Sequence, residues 1–171
     1  MSTTTPLPTY MIVNGELIPY AEGTLHLMSP AARYGLNVFE GMRGYWNEET
    51  RQLYVFRLGE HLERLYQSMK MLRFEPDFGM DEISEATLEL LRANEIKEVC
   101  HIRANAYLGG EGEHHVPGPV SYFVACKVRP RSSKTTTGIR CRVSTWTRMA
   151  DNAMPPRIKC GANYVNSRLA R

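Results

Sequence analysis

Polar and apolar positions alternate through NVFEGMRGYW (37–46). Phe39, Gly41, Arg43 and Tyr45 fall on one side of an extended chain, and Val38, Glu40 and Met42 on the other. The same period of two runs through EVCHIRANAYL (98–108), where Cys100, Ile102, Ala104, Ala106 and Leu108 alternate with His101, Arg103, Asn105 and Tyr107. QLYVFR (52–57), VSYFVACKV (120–128) and GIRCRVSTW (138–146) also read as strands, the first joined to 37–46 by the polar turn NEETR. In YMIVNGELIPY (10–20), Asn14-Gly15 separates two apolar runs and predicts a hairpin.

Elsewhere the period becomes helical. In GEHLERLYQSMKMLRF (59–74), Leu62, Leu65, Tyr66, Met69 and Leu72 share one face. MDEISEATLELLRANEI (80–96) predicts a second helix, with Ile83, Leu90 and Leu91 as buried positions. MSPAARYG (28–35) predicts a short one, with Ser29 as N-cap, Pro30 at the first helical position and Gly35 past the end. GGEGEHHVPGP (109–119) reads as a loop and RPRSSKTTT (129–137) as a linker. Strands, two helices, then strands again make an α+β order. The expected division is a disordered lead-in (1–9), an N-terminal α+β domain (10–129), an interdomain linker (130–137) and the opening of a second domain (138–171).

Composition narrows the function classes. The 171 residues are 43% hydrophobic and 23% charged, enough to build a core without staples. A net charge of +3 spread without a basic stripe disfavours nucleic acid. No apolar run reaches membrane-spanning length, and the first ten residues lack the pattern of a signal peptide. Cys100, Cys126, Cys141 and Cys160 stand singly, which argues against a zinc ribbon or disulfide framework and for a reducing cytoplasm. His114 and His115 are adjacent, a spacing that suits no helical ligand pair, so no metal is expected. Neither a phosphate-binding glycine loop nor a dinucleotide fingerprint is present.

Four places could carry chemistry. Arg43 beside Gly41 could grip a ligand or face solvent. His101, Arg103, Asn105 and Tyr107 could line a carboxylate-binding cleft or form a wet outer face. Arg64 lies away from its helix's apolar stripe, where pairing with Glu60 four residues back is the plainer reading. Lys159 in PPRIKCGANYVNSRLAR (155–171) could be a Schiff-base nucleophile, with Gly161 and Ala162 admitting a planar ligand, or an ordinary surface lysine.

YGLNVFEGMRGYW resembles the Y-G-x-x-V-F-E-G-x-R-x-Y signature of branched-chain amino-acid aminotransferases, pyridoxal-phosphate enzymes of fold type IV related to D-amino-acid aminotransferase. VFRLGEHLERLYQSMKML, HIRANAYLG and PPRIKCGANYVNSRLA are similar to successive segments of that family, in family order. The resemblance implies an N-terminal α/β sandwich domain followed by the start of a second, cofactor-binding domain. It implies that Lys159 binds pyridoxal 5'-phosphate covalently, that Arg64 grips its phosphate and that Tyr164 lies near its ring hydroxyl. Tyr34 and Phe39 would be pocket-wall aromatics, and Arg43 and Arg103 would recognise substrate, including the distal carboxylate of glutamate. His101 stands where many relatives carry a pocket tyrosine, and Ala104 where a proline is common.

What the resemblance implies for activity is amino transfer from leucine, isoleucine or valine to 2-oxoglutarate, with amino-acid and 2-oxo-acid substrates and a homodimer or larger homo-oligomer. Relatives continue past the lysine, so the chain reads as truncated and incomplete as an enzyme. D-amino-acid or R-amine aminotransferases and aminodeoxychorismate lyases are alternatives within the fold. A non-catalytic binding or oligomerisation module is the alternative outside it.

Overall fold

The computed structural model describes residues 7–130 and 134–170. Residues 1–6 of the expected lead-in, 131–133 of the expected linker, and Arg171 lie outside the described residues. Six strands, β1 (Tyr10–Val13), β2 (Glu16–Pro19), β3 (Asn37–Asn47), β4 (Gln52–Val55), β5 (Cys100–Leu108) and β6 (Val120–Val128), form one antiparallel sheet. Its order is β2-β1-β6-β5-β3-β4. The helices are α1 (Pro30–Tyr34), α2 (Leu58–Met71), α3 (Met80–Ala93), α4 (Lys134–Thr137) and α5 (Val165–Leu169).

Local chemistry sets these elements. Asn14 (φ 49°) and Gly15 (φ 82°) both take the left-handed region, the geometry a two-residue hairpin needs to match strand twist. At α1 the Ser29 Oγ accepts the Ala32 N–H at 3.2 Å, and Gly35 ends the helix at φ 69°. The helices α2 and α3 stop short of residues 74 and 96. Asn94 ends α3 because its amide accepts from the N–H groups of Thr9 and Tyr10 and donates to Tyr10 and Leu90, clipping β1 to the helix end. The strand expected over 52–57 ends at Val55, and Arg57 (φ 53°) turns the chain into α2.

Register divides the sheet into two unlike faces. Val38, Glu40 and Met42 of β3 stand opposite Ala106, Ala104 and Ile102 of β5, which oppose Tyr122, Val124 and Cys126 of β6. All are buried, and with the exception of Glu40 they pack with Leu62, Leu65 and Met69 of α2 and Ile83, Ala86 and Leu90 of α3 into one apolar cluster. The opposite face carries Phe39, Arg43, His101, Arg103, Tyr107 and Phe123.

One expected strand does not form. GIRCRVSTW (138–146) is irregular and exposed throughout, Val143 being 95% accessible. Its alternation fits a strand with one covered face, but among the described residues no strand pairs with it. Propensity alone does not hold an isolated strand. No described helix is long and apolar enough to cross a membrane.

β3 is tightly packed at Gly44, where an added Cβ would lie 2.6 Å from the Cys100 Sγ. Gly44→Ala is therefore expected to destabilise the chain by about 1–3 kcal/mol. Shortening the neighbour in Gly44→Ala/Cys100→Ala should recover part of that loss. Urea denaturation of the two single variants and the double variant checks it: strictly additive losses would show that the two positions do not collide.

Candidate active site

β4 pairs with Gly44–Asn47 of β3 and the Phe56 N–H donates to the Arg43 carbonyl, so β4 leaves the edge of β3 open from Asn37 to Met42. The segment around Lys159 fills it. Val38 bridges Cys160, the Phe39 N–H donates to the Lys159 carbonyl at 2.9 Å, and the Gly161 N–H donates to Asn37 at 3.3 Å. The loop is held from inside by Asn163, whose amide donates to the carbonyls of Pro155 (3.1 Å) and Ile158 (2.9 Å). Ile158 and Cys160 are buried. A Cβ at Gly161 would meet both side-chain polar atoms of Asn37 at 2.9 Å, so a larger residue here would push the Asn37 side chain aside. Helix α2 contributes as well: the Ser68 Oγ accepts the Lys159 N–H at 3.2 Å.

Fixed in this way, the Lys159 amine donates to the Tyr164 hydroxyl at 2.7 Å and lies 4.9 Å from the centre of the Phe39 ring. Tyr164 packs on Phe39 at 5.0 Å, and the Arg103 guanidinium sits 4.3 Å from the Phe39 ring centre. Sheet and loop therefore bring Phe39, Arg103, Lys159 and Tyr164 together. Beside them is a cleft of about 480 Å³ lined by Arg64, Arg148, Arg157, Lys159 and Tyr164 among others. Arg157 is neutralised by Asp151 at 2.6 Å, and Arg148 stacks 5.8 Å from the Tyr164 ring centre. An amine and a run of cations in one cleft suit an aldehyde that carries a phosphate.

Arg64 does not pair with Glu60, which bonds to Arg57 at 2.8 Å. It reaches across to Glu40 of β3, with Nε on Oε1 and Nη2 on Oε2, each at 2.6 Å. The His61 Nδ1 lies 2.8 Å from the same Oε2. Glu40 is wholly buried while the Arg64 side chain is 52% exposed. Burial on its own would raise the Glu40 pKa. Hydrogen bonds from Arg64 and His61, reinforced by their charge, hold it below the usual carboxylate range instead. Glu40 was missed as a site residue, although a signal existed: alternation places an acid on the core face, where it needs a cation partner.

Other candidates sit further along the open face. Arg43 and His101 are register partners, and the Arg43 guanidinium donates to the Arg129 carbonyl at 3.0 Å. The imidazole of His101 lies over Gly41, where a Cβ would approach its Nε2 to 3.0 Å. Burial, then the charges of Arg103, Arg129 and Arg43, push His101 below the usual histidine pKa and keep it neutral. Asn105 is 9% exposed and its Oδ1 finds no protein partner. Tyr34 is engaged elsewhere: its hydroxyl donates to Glu113 at 3.1 Å, and its ring meets His114 edge-on at 5.6 Å. Among the described residues no cluster of three His, Cys, Asp or Glu could hold a metal ion.

The sheet with its docked lysine loop is that of the fold-type IV enzymes, and comparison with known proteins extends the match. A family model for "Amino-transferase class IV" covers residues 37–171. The chain is 34% identical to a probable branched-chain-amino-acid aminotransferase of Aquifex aeolicus, over 95% of this chain and 53% of that protein. It superposes on the branched-chain aminotransferase of Thermoproteus uzoniensis with norvaline at TM-score 0.87, with 35% identity, covering 95% of this chain and 55% of that one. It superposes on the PLP-form (holo-form) of the branched-chain amino acid aminotransferase of Thermobaculum terrenum at TM-score 0.80, with 38% identity and 95% and 54% coverage. This chain belongs to the class IV aminotransferase family, whose members use pyridoxal phosphate. It spans about half the length of the curated relatives it matches.

The Glu40–Arg64 pair is asymmetric, and so are its expected deletions. Arg64→Met strands a buried carboxylate and should cost about 3–5 kcal/mol at pH 7, whereas Glu40→Gln leaves an arginine that water can reach and should cost clearly less. Because the folded-state pKa of Glu40 is depressed, its stabilisation is full above the unfolded carboxylate pKa and is lost as pH falls through the folded value. Denaturation at pH 7 and pH 3 should show the gap between the native chain and Glu40→Gln narrowing in acid. A gap that widens would contradict the ion pair.

Proposed function

We propose that this chain carries the cofactor lysine and the substrate-facing sheet of a branched-chain amino-acid aminotransferase, which moves the amino group of leucine, isoleucine or valine to 2-oxoglutarate. The observation that carries this reading is the Lys159 amine, 2.7 Å from the Tyr164 hydroxyl and set against Phe39 in the cleft that Arg64 lines. The donor set fits pyridoxal phosphate: Lys159 for its aldehyde, Arg64 and its cationic neighbours for its phosphate, Tyr164 beside the amine.

When bound, the cofactor supplies an electron sink that stabilises charge at the substrate Cα. The chain's own residues do the rest. Lys159 Nζ is the group that takes and returns the Cα proton, a general acid–base role, with the Tyr164 hydroxyl as its hydrogen-bond partner at rest. Phe39 offers an apolar wall to an aliphatic side chain. Arg103, lying over that wall, and Arg43 further along the same face offer guanidinium forks for the distal carboxylate of glutamate. Tyr34 joins the loop 109–119 at one margin of this face. His101, neutral above Gly41, contributes a small polar group to the same wall.

The same reading places the domain boundary at 130–137, and takes the working protein to be a cytoplasmic homodimer or larger homo-oligomer. It is tested by adding pyridoxal phosphate, reducing with borohydride and mapping the label by mass spectrometry. The pyridoxyl adduct is expected predominantly on Lys159 and should vanish in Lys159→Ala without migrating to another lysine. Labelling spread evenly over Lys159 and the other four lysines, Lys70, Lys97, Lys127 and Lys134, would refute the assignment.

A further inference from the structure

Arg64 is the exposed member of its ion pair and Glu40 the fixed one. Glu40 is wholly buried on β3 between Val38 and Met42, and the guanidinium comes to it from α2. We propose that Glu40 is a positioning residue, holding the side-on edge of Arg64 so that the end-on edge of the guanidinium is presented to the cofactor phosphate. The proposal rests on the reading that the cleft takes pyridoxal phosphate.

The geometry of the group makes the division of labour necessary. A guanidinium is planar and carries five N–H donors in fixed directions. Glu40 occupies the Nε–H and one Nη2–H. Nη2 also lies 3.4 Å from the His61 Nδ1, whose shorter contact, at 2.8 Å, is with Oε2. Two protons of Nη1 and the outward one of Nη2 are not taken by Glu40, and one from each nitrogen makes the end-on fork that matches two oxygens of a phosphate. His61 braces the carboxylate through its Nδ1, 2.8 Å from Oε2, so neither oxygen is free to swing away. His61, Arg64 and Ser68 follow one another at helical spacing, and Ser68 takes the Lys159 N–H. One stripe of α2 thus fixes the phosphate cation and the lysine backbone in a single frame. Without Glu40, a half-exposed arginine would sample many rotamers and would have to be ordered at the moment of binding.

A carboxylate beside a cation also weakens that cation's pull on an anion, so the two effects oppose each other and their balance is measurable. The experiment compares pyridoxal phosphate with pyridoxal, which has the aldehyde but no phosphate, as labels of Lys159 under borohydride. The readout is the ratio of the two half-saturating concentrations. Loss of folded protein scales both alike and cancels, so Glu40→Gln reports even if it is less stable, and Glu40→Asp serves as the milder variant.

The native chain should prefer the phosphorylated label. Arg64→Met should abolish the preference, and Glu40→Gln should cut it at least about tenfold through the phosphate-bearing label alone. Glu40→Asp, which keeps the charge but withdraws it by one methylene, should fall between. A preference unchanged or increased in Glu40→Gln, while Arg64→Met loses it, overturns the positioning role and leaves the cofactor reading intact. No preference in the native chain, or one that survives Arg64→Met, overturns the phosphate site itself.

Discussion

The open edge of β3 is the constraint on which the site depends. β3 runs for eleven residues, and β4 covers only its far end. An unpaired strand edge must be satisfied by something. Here the lysine loop satisfies it, through the Val38–Cys160 bridge and the Phe39 and Gly161 amide bonds. Because Phe39 is itself part of that pairing, the lysine and the aromatic wall beside it are positioned by the same hydrogen bonds. A β4 extended by a few residues would compete for this edge and displace the lysine without touching any candidate site residue.

Much of this was legible in the sequence. The hairpin at Asn14-Gly15, the capped α1 and the alternation of β3 and β5 follow from residue types whose backbone or packing demands are local. The same alternation put Phe39, Arg43, His101 and Arg103 on the face away from the helices, where the register places them. The strand over 138–146 failed for the complementary reason. Its pattern is also local, but a strand exists only through a partner, and no residue of the segment itself states whether one is there. The pairing of Arg64 was not legible from its helix, since Glu60 four residues away satisfies the local rule and is taken by Arg57 instead. Only the long-range placement of α2 over β3 brings Glu40 within reach.

Glu40 also shows why the two faces of the sheet differ in kind. On the helix face every neighbour in the three central strands is apolar, and a single acid persists there because two cationic-capable side chains of α2 meet it at hydrogen-bonding distance. These hydrogen bonds tie α2 to β3 at a fixed point within an otherwise apolar contact. The open face has the opposite character. Arg43, Arg103 and a neutral His101 share it, and no acid from the described residues forms an ion pair with them there. A face of that kind has spare hydrogen-bond donors and a positive potential, the properties an anionic substrate requires.

The burial of one carboxylate therefore has consequences on both sides of the sheet. Glu40 bonds the side-on edge of Arg64, through Nε and Nη2, and so fixes the direction of the guanidinium plane. By sitting at 0% exposure on the core face, it stays clear of the open face, where an exposed acid would cancel the arginines. The strand's period of two makes both possible at once: Phe39 and Gly41, its immediate neighbours, lie on the open face, and Glu40 between them points towards the helix. Shifting β3 by one residue would exchange these roles, placing an acid against Lys159 and an aromatic ring against His61. Register is therefore what separates the group that holds Arg64 from the groups that line the open face.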